Sequence, residues 1–331
     1  MKAIFQLAGV LLLALATEAA AEGVIGQTRG PDGPWDYASF DAAHHRVLVA
    51  RSDGVMTLDT DTGVLAAFAP GARVHAVIAL PDGRILATNG AANTATLING
   101  VTGRVEATVP VGADPDAAVY DPATHAAFVM NAHSGDISVI DLRAGRETSR
   151  VQVGGALEFA AVDGAGRLFV NVEDRNELVV VGTLHRRVTA RYPLPGCDAP
   201  TAMAYVAAYR LLITTCDNGH ALVLRSMDGQ VVADLAIGPH PDQMVYDTAR
   251  QVAYIPTAGS SQLNGEIVVV SITWPTTVSV IGHIPTTRGA RTIAEDSATG
   301  RLYLPTADYT VGAGGRPQTI PGSFRVLVVE P

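Results

Sequence analysis

Seven positions recur at nearly even spacing in this 331-residue chain, and most carry side chains able to do chemistry. They are Asp36, His75, Asp116, Glu158, Thr201, Asp242 and Arg291, separated by 39, 41, 42, 43, 41 and 49 residues. Each sits in a short polar-to-apolar opening such as WDY, VHA, PDA or LEF. A second set closes the apolar runs that follow: Arg51, Asn89, Asn131, His133, Asn171, Glu173, Asp217 and Asp308. Gathered in one place, these groups supply carboxylates, amides, two imidazoles and guanidinium groups. Carboxylate and amide oxygens suit a hard cation such as Ca²⁺ or Mg²⁺, and an added imidazole suits a transition metal. Glu158, Asn131, Asn171 and Asp217 form the expected cation set. A metal there would polarise a carbonyl while a carboxylate acts as base, which is hydrolytic chemistry of the lactonase type. His75 and His133 offer a second metal or acid–base pair, and Arg51 with Arg291 offers a clamp for a carboxylate or phosphate. The plainer alternative is a hydrated polar rim in which Asp and Asn cap turns and each Arg balances an Asp.

What must position these residues is a repeat. After each opening comes a strand, then a turn such as DPATH, DGAGR or DTARQ, then a second strand such as RILATN, RLFVNV or VAYIPT. A polar loop leads to a third strand such as GVMTLD, DISVID or EIVVVS, and in six units a fourth follows. Seven units with a period of about 42 residues, and no room for a helix, specify an all-β fold. The expectation is a seven-bladed β-propeller with four antiparallel strands per blade. The seventh unit stops at its third strand, and Gly23–Thr28 (GVIGQT) has no other role, so it should complete that blade and close the ring. Inner strands of such a ring bring the seven openings to one mouth of a central channel, where ligand sites form. The blade 7 loop Ala307–Ser323 and the blade 6 insertion Gly259–Gly265 are long enough to be lids or binding loops.

Phe128–Asp141, FVMNAHSGDISVID, followed by GRETSRVQVG, resembles the YVTN-type repeat, with Phe-Val-Met-Asn where Tyr-Val-Thr-Asn is usual. The stretch ILATNGAANTATLINGVTGRVEATVPVG is similar. On these motifs the chain resembles the YncE-like group of periplasmic seven-bladed propellers. The resemblance implies the fold and a periplasmic setting. It leaves function open, because this scaffold hosts binding proteins, lactonases, lyases and cofactor enzymes. Blades 4 to 7 depart from the motif, and only Trp35 and Trp274 occur, too few for the tryptophan-docking repeats of quinone enzymes.

Composition narrows the classes. Residues 1–21 read as a cleaved signal peptide, with Lys2, an apolar stretch from Ile4 to Ala16, and Ala19-Ala20-Ala21 at the cleavage site. Residues 22–331 then form a single domain, periplasmic or secreted, with no membrane span and acting as a monomer. Lys2 is the only lysine, so Schiff-base chemistry is excluded after cleavage. A net charge of −9 without lysine, and 5% aromatic residues, argue against nucleic acid as partner. Cys197 and Cys216 should form one disulfide in an oxidising compartment. The reading is a binding protein for a small ligand, a metal ion or a periplasmic protein partner, with a metal-assisted hydrolase as the alternative.

Overall fold

The computed structural model describes residues 23–260, 264–273, 277–312 and 317–331. The signal-peptide segment and Trp274 lie outside the described residues. Short β-branched and apolar runs separated by Gly, Asp and Asn turns fold into seven four-stranded antiparallel sheets arranged as blades of one ring. The protein is a seven-bladed β-propeller. Blade 1 is Trp35–Asp41, Arg46–Arg51, Gly54–Asp59 and Leu65–Pro70. Blades 2 to 5 repeat this plan from inner strands Val74–Ala79, Pro115–Asp121, Leu157–Val162 and Pro200–Val206. Blade 7 holds Ala294–Asp296, Arg301–Thr306 and Arg325–Glu330, and its outermost strand is Gly23–Arg29, paired antiparallel with Arg325–Glu330. The N-terminal strand therefore closes the ring, as the repeat count requires.

Burial follows position in the blade. Second and third strands are sandwiched between neighbouring blades and are nearly continuous in apolar residues, as in Arg46–Arg51 and Ala126–Asn131, buried throughout. Outer strands face solvent on one side and alternate, as in Arg187–Pro193. The core lies between blades: Leu48, Val55 and Ala50 of blade 1 meet Val77, Ile85 and Ile98 of blade 2. Turns between first and second strands are held by an aspartate accepting a backbone N–H two residues on, at Asp121, Asp163, Asp247 and Asp296.

Blades 6 and 7 depart from the expected openings. Their inner strands shrink to Val245–Asp247 and Ala294–Asp296, with only a bridge from Pro241 to Thr257 before the first. Pro239 and Pro241 have no N–H to give to a ladder. The gap is filled by a side chain. The amide of Gln243, buried, accepts from the backbone N–H of Ala38 (3.1 Å) and of Ile293 (3.0 Å), and donates to the Ala38 carbonyl (2.7 Å). One glutamine thus ties blade 6 to blades 7 and 1.

Cys197 and Cys216 are disulfide-bonded, joining the entry to blade 5 to the end of its second strand. A closed loop of this size restricts the unfolded chain by roughly 3 kcal/mol in the chain-entropy model. Reduction, or the Cys197→Ala/Cys216→Ala pair, is expected to lower unfolding free energy in urea by about that amount while far-ultraviolet circular dichroism stays unchanged. An unchanged midpoint would show that the bond adds nothing.

Candidate functional site: one mouth of the channel

Inner strands of adjacent blades do not form a common sheet, so side chains link them. Ser39 Oγ donates to Val77 O (2.7 Å) and Thr201 Oγ1 to Pro241 O (2.9 Å), and from the second strand of blade 4 Asn171 Nδ2 donates to Thr201 O (2.8 Å) and Ala202 O (3.2 Å). Across the ring, Tyr37 on blade 1 donates its hydroxyl to Glu158 Oε2 on blade 4 at 2.9 Å, and its ring meets Phe159 edge-on at 5.3 Å. Tyr37 is buried, and this bar crosses the channel.

Beside the bar, the openings of blades 1 to 3 meet. His75 Nδ1 lies 2.5 Å from Asp36 Oδ2 and 3.2 Å from Asp116 Oδ1, and its Nε2 is 3.5 Å from Asp114. Asp114 is itself paired with Arg73. The imidazole rests on the backbone of Gly90, where a Cβ would lie 2.6 Å from the ring, so only glycine fits. Asp36, His75 and Asp116 place one ligand atom each within 4.8 Å of the others, the arrangement of a metal-holding trio.

The charge here is lopsided. Burial, then repulsion from Asp36, pushes the Asp116 carboxyl up to about 7, against the attraction of His75. Burial, followed by the charges of Asp116 and Asp242, holds Glu158 well above the usual carboxylate range. Burial also pushes Asp242 up to about 6 although Arg291 opposes it. His75 is raised: burial opposes its charge, but the bond to Asp36 and the charges of Asp116 and Asp36 outweigh it. Burial raises the Tyr37 phenol, and Glu158 adds to the shift. Acidic groups in the channel outnumber the cations that could balance them, which favours a bound cation or retained protons.

A cavity of about 610 Å³ opens at the blade 6–7–1 side of the same mouth. Trp35, Asp242, Ala258, Arg288, Arg291, Thr292 and Tyr309 contribute to its wall, with Gly259 and Ser260 from the blade 6 insertion. The long blade 7 loop forms a small hairpin, Tyr309–Val311 with Pro317–Thr319, that supplies another part of the wall. Arg291 Nε pairs with Asp242 Oδ2 at 3.2 Å, and that carboxylate raises the guanidinium's pKa.

The predicted residues divide. Asp36, His75, Asp116, Glu158, Asp242 and Arg291 face the mouth or channel, as their even spacing suggested. Of the ends of the second strands, Glu173 and Asp217 stand close enough for their charges to raise Asp242, but the asparagines do not join them. Asn89, Asn131 and Asn171 are buried; Asn89 Oδ1 accepts from Ala72 N–H (3.1 Å), Asn131 Nδ2 donates to Asp136 (2.7 Å) and Ser138 (3.0 Å), and Asn171 Oδ1 accepts from Thr214 (3.0 Å). Asp217 pairs with His240 (2.8 Å). Of the expected cation set Glu158 reaches the channel and Asp217 stands at the mouth beside His240, but the groups that converge are instead Asp36, His75 and Asp116. His133 is exposed on its turn, where its backbone N–H donates to Ala113 O, so it forms no pair with His75. Arg51 is buried over the Phe324 ring at 4.0 Å and donates to Pro31 O, while Asp308 takes Arg325, so the Arg51–Arg291 clamp does not form. Tyr37, Gln243, Arg288 and Tyr309 were not foreseen. The aromatic in the first opening was the sole signal for Tyr37.

No family model and no curated protein matches the chain. Among solved structures it resembles a chain of the mitotic checkpoint complex, with a TM-score of 0.78 at 12% identity, covering 100% of this chain and 98% of that one. It also resembles a chain of Kuenenia stuttgartiensis hydrazine synthase, with a TM-score of 0.71 at 14% identity, covering 93% and 99%. At such identities the likeness is one of fold, and it places the chain among seven-bladed propellers. Among the described residues no helix is long and apolar enough to cross a membrane.

Proposed function

We propose that the chain is an exported binding protein that holds a small molecule at this mouth, in the periplasm or outside the cell. The cavity beside Asp242 and Arg291 carries the reading: it has the size of a ligand pocket and opens where the channel below is barred by Tyr37 and Glu158. The resemblance of Phe128–Asp141 to the YVTN-type repeat and the disulfide support export. Native mass spectrometry of protein purified without dialysis tests the binding reading. A co-purifying small molecule whose occupancy falls in Arg291→Ala is expected. A mouth that takes nothing from a broad small-molecule panel, in wild type and variant alike, would refute it.

A metal-assisted hydrolase of the lactonase type is favoured by one observation, the Asp36–His75–Asp116 trio. A divalent cation, calcium, magnesium or, given the imidazole, a transition metal, would fit these donors and supply Lewis-acid polarisation of a carbonyl. Asp36 and Asp116 would turn from His75 to the ion, and Glu158 stands by as a proton acceptor once ionised. About one equivalent of Mn²⁺, Ca²⁺ or Mg²⁺, lost in His75→Ala and Asp116→Asn, together with lactone turnover, is the expected result. Stability indifferent to chelator and to all three ions would sink the hydrolase reading.

A further inference from the structure

The reading of the mouth as a small-molecule site leaves the ligand's chemistry open, and the wall of the cavity narrows it. Arg288 has no carboxylate within ion-pair reach among the described residues; its guanidinium sits 5.7 Å above the Tyr309 ring. Arg291 is the other guanidinium of the wall and is matched by Asp242, as the wall's His240 is by Asp217. Arg288, Arg291 and Asp242 leave a formal charge of +1 inside an otherwise acidic mouth. Thr292, 1% exposed, borders the same cavity, and its hydroxyl has no hydrogen-bond partner. A buried hydroxyl without a partner is costly unless something else satisfies it. His240, paired with Asp217, and the polar Ser260 and Thr319 also line the cavity, and its apolar and aromatic part includes Trp35 on one blade and Tyr309 on another. Tyr309 is set by its support. Gly289 has φ +84°, and a Cβ there would lie 2.3 Å from the tyrosine ring, so the ring is pressed onto bare backbone.

We propose that this cavity binds a small organic monocarboxylate, its carboxylate on Arg288 and Thr292 and its apolar body between Trp35 and Tyr309. A single negative charge matches the surplus of the wall. A phosphate dianion would leave one charge unbalanced beside Asp242, and a neutral molecule would leave Arg288 unpaired as it enters a less polar setting. Guanidinium and hydroxyl together present the donors that a carboxylate accepts.

Calorimetric titration of the intact protein with benzoate tests the assignment, with benzamide and phenyl phosphate as neutral and dianionic counterparts of the same body. Benzoate is expected to bind, benzamide and phenyl phosphate more weakly, and Arg288→Gln to weaken benzoate by about tenfold or more while leaving benzamide unchanged. Because Arg288 has no ion pair to lose among the described residues, Arg288→Gln should unfold at the wild-type temperature, and Arg288→Lys should recover part of the affinity. Equal binding of benzoate and benzamide, tighter binding of phenyl phosphate, or benzoate affinity untouched by Arg288→Gln would each overturn the carboxylate assignment. If other small molecules bind at Arg291 while benzoate does not, the ligand class fails and the binding function stands. If nothing in the panel binds, both fail.

Discussion

Gln243→Leu is expected to lower the unfolding free energy by about 3 kcal/mol or more. The side chain is about isosteric, so the loss comes from hydrogen bonds and not from a cavity. Three backbone groups depend on the amide: the N–H and carbonyl of Ala38 and the N–H of Ile293. All are buried, and each costs about 1–3 kcal/mol when left without a partner. The site is where the ring is weakest in backbone pairing, because the inner strands of blades 6 and 7 are three residues long. Urea denaturation measures the effect. Gln243→Glu keeps both acceptor bonds, and its protonated carboxyl can still donate to Ala38 O, so at low pH it should stay near wild type and fall toward Gln243→Leu as the carboxyl ionises at higher pH. A loss under about 0.5 kcal/mol for Gln243→Leu would show that backbone shifts or water replace the amide.

Asp116→Asn is expected to stabilise the chelated protein at pH 8 by about 2–4 kcal/mol and to change little at pH 3.5. Burial and the nearby charges of Asp36, Asp242 and Asp114 push the Asp116 carboxyl up to about 7, against the partial relief of His75. Unfolded, the same carboxyl has an ordinary value near 4. Between those values the folded protein holds a proton that the unfolded chain has released. Stability from this group is therefore greatest at low pH and declines as pH rises from about 4 to about 7. Three units at about 1.4 kcal/mol each set the upper figure, and coupling within the cluster reduces it. Glu158 and Asp242, raised for the same first reason, act in the same direction, so Asp116→Asn should flatten the pH slope without abolishing it. Thermal unfolding from pH 3.5 to 8 measures it. Equal destabilisation at both ends would show that Asp116 matters as a partner of His75 and carries no repulsive strain.

Part of this was legible in the residues. The turn aspartates, the alternating strands and the even spacing are local features, and they specify four-stranded units wherever they occur. Their number, with an incomplete seventh unit, already demands that Gly23–Thr28 finish the ring. The mouth was legible as a list of openings, because every inner strand begins at the same end. What the list could not show was which way each side chain turns. Asp36, His75 and Asp116 each lie where the pairing of the inner strand shifts register, between Trp35 and Ala38, Val74 and Val77, and Pro115 and Ala117. A bulge re-aims a side chain, and nothing in a single strand's sequence announces it.

By itself, then, the sequence determined an all-β ring of seven blades, its closure and its cysteine pair, because strand period, turn chemistry and two lone cysteines are properties of short segments or of counting. Only the tertiary structure decided that Asn89, Asn131 and Asn171 serve the blades, that His75 gathers two aspartates, that Tyr37 bars the channel, and that Arg288 stands in a cavity without an acid among the described residues. Those facts depend on side chains from blades far apart in sequence approaching within a few ångströms. Strand register and the angle between blades set that approach, and neither is written in any one repeat.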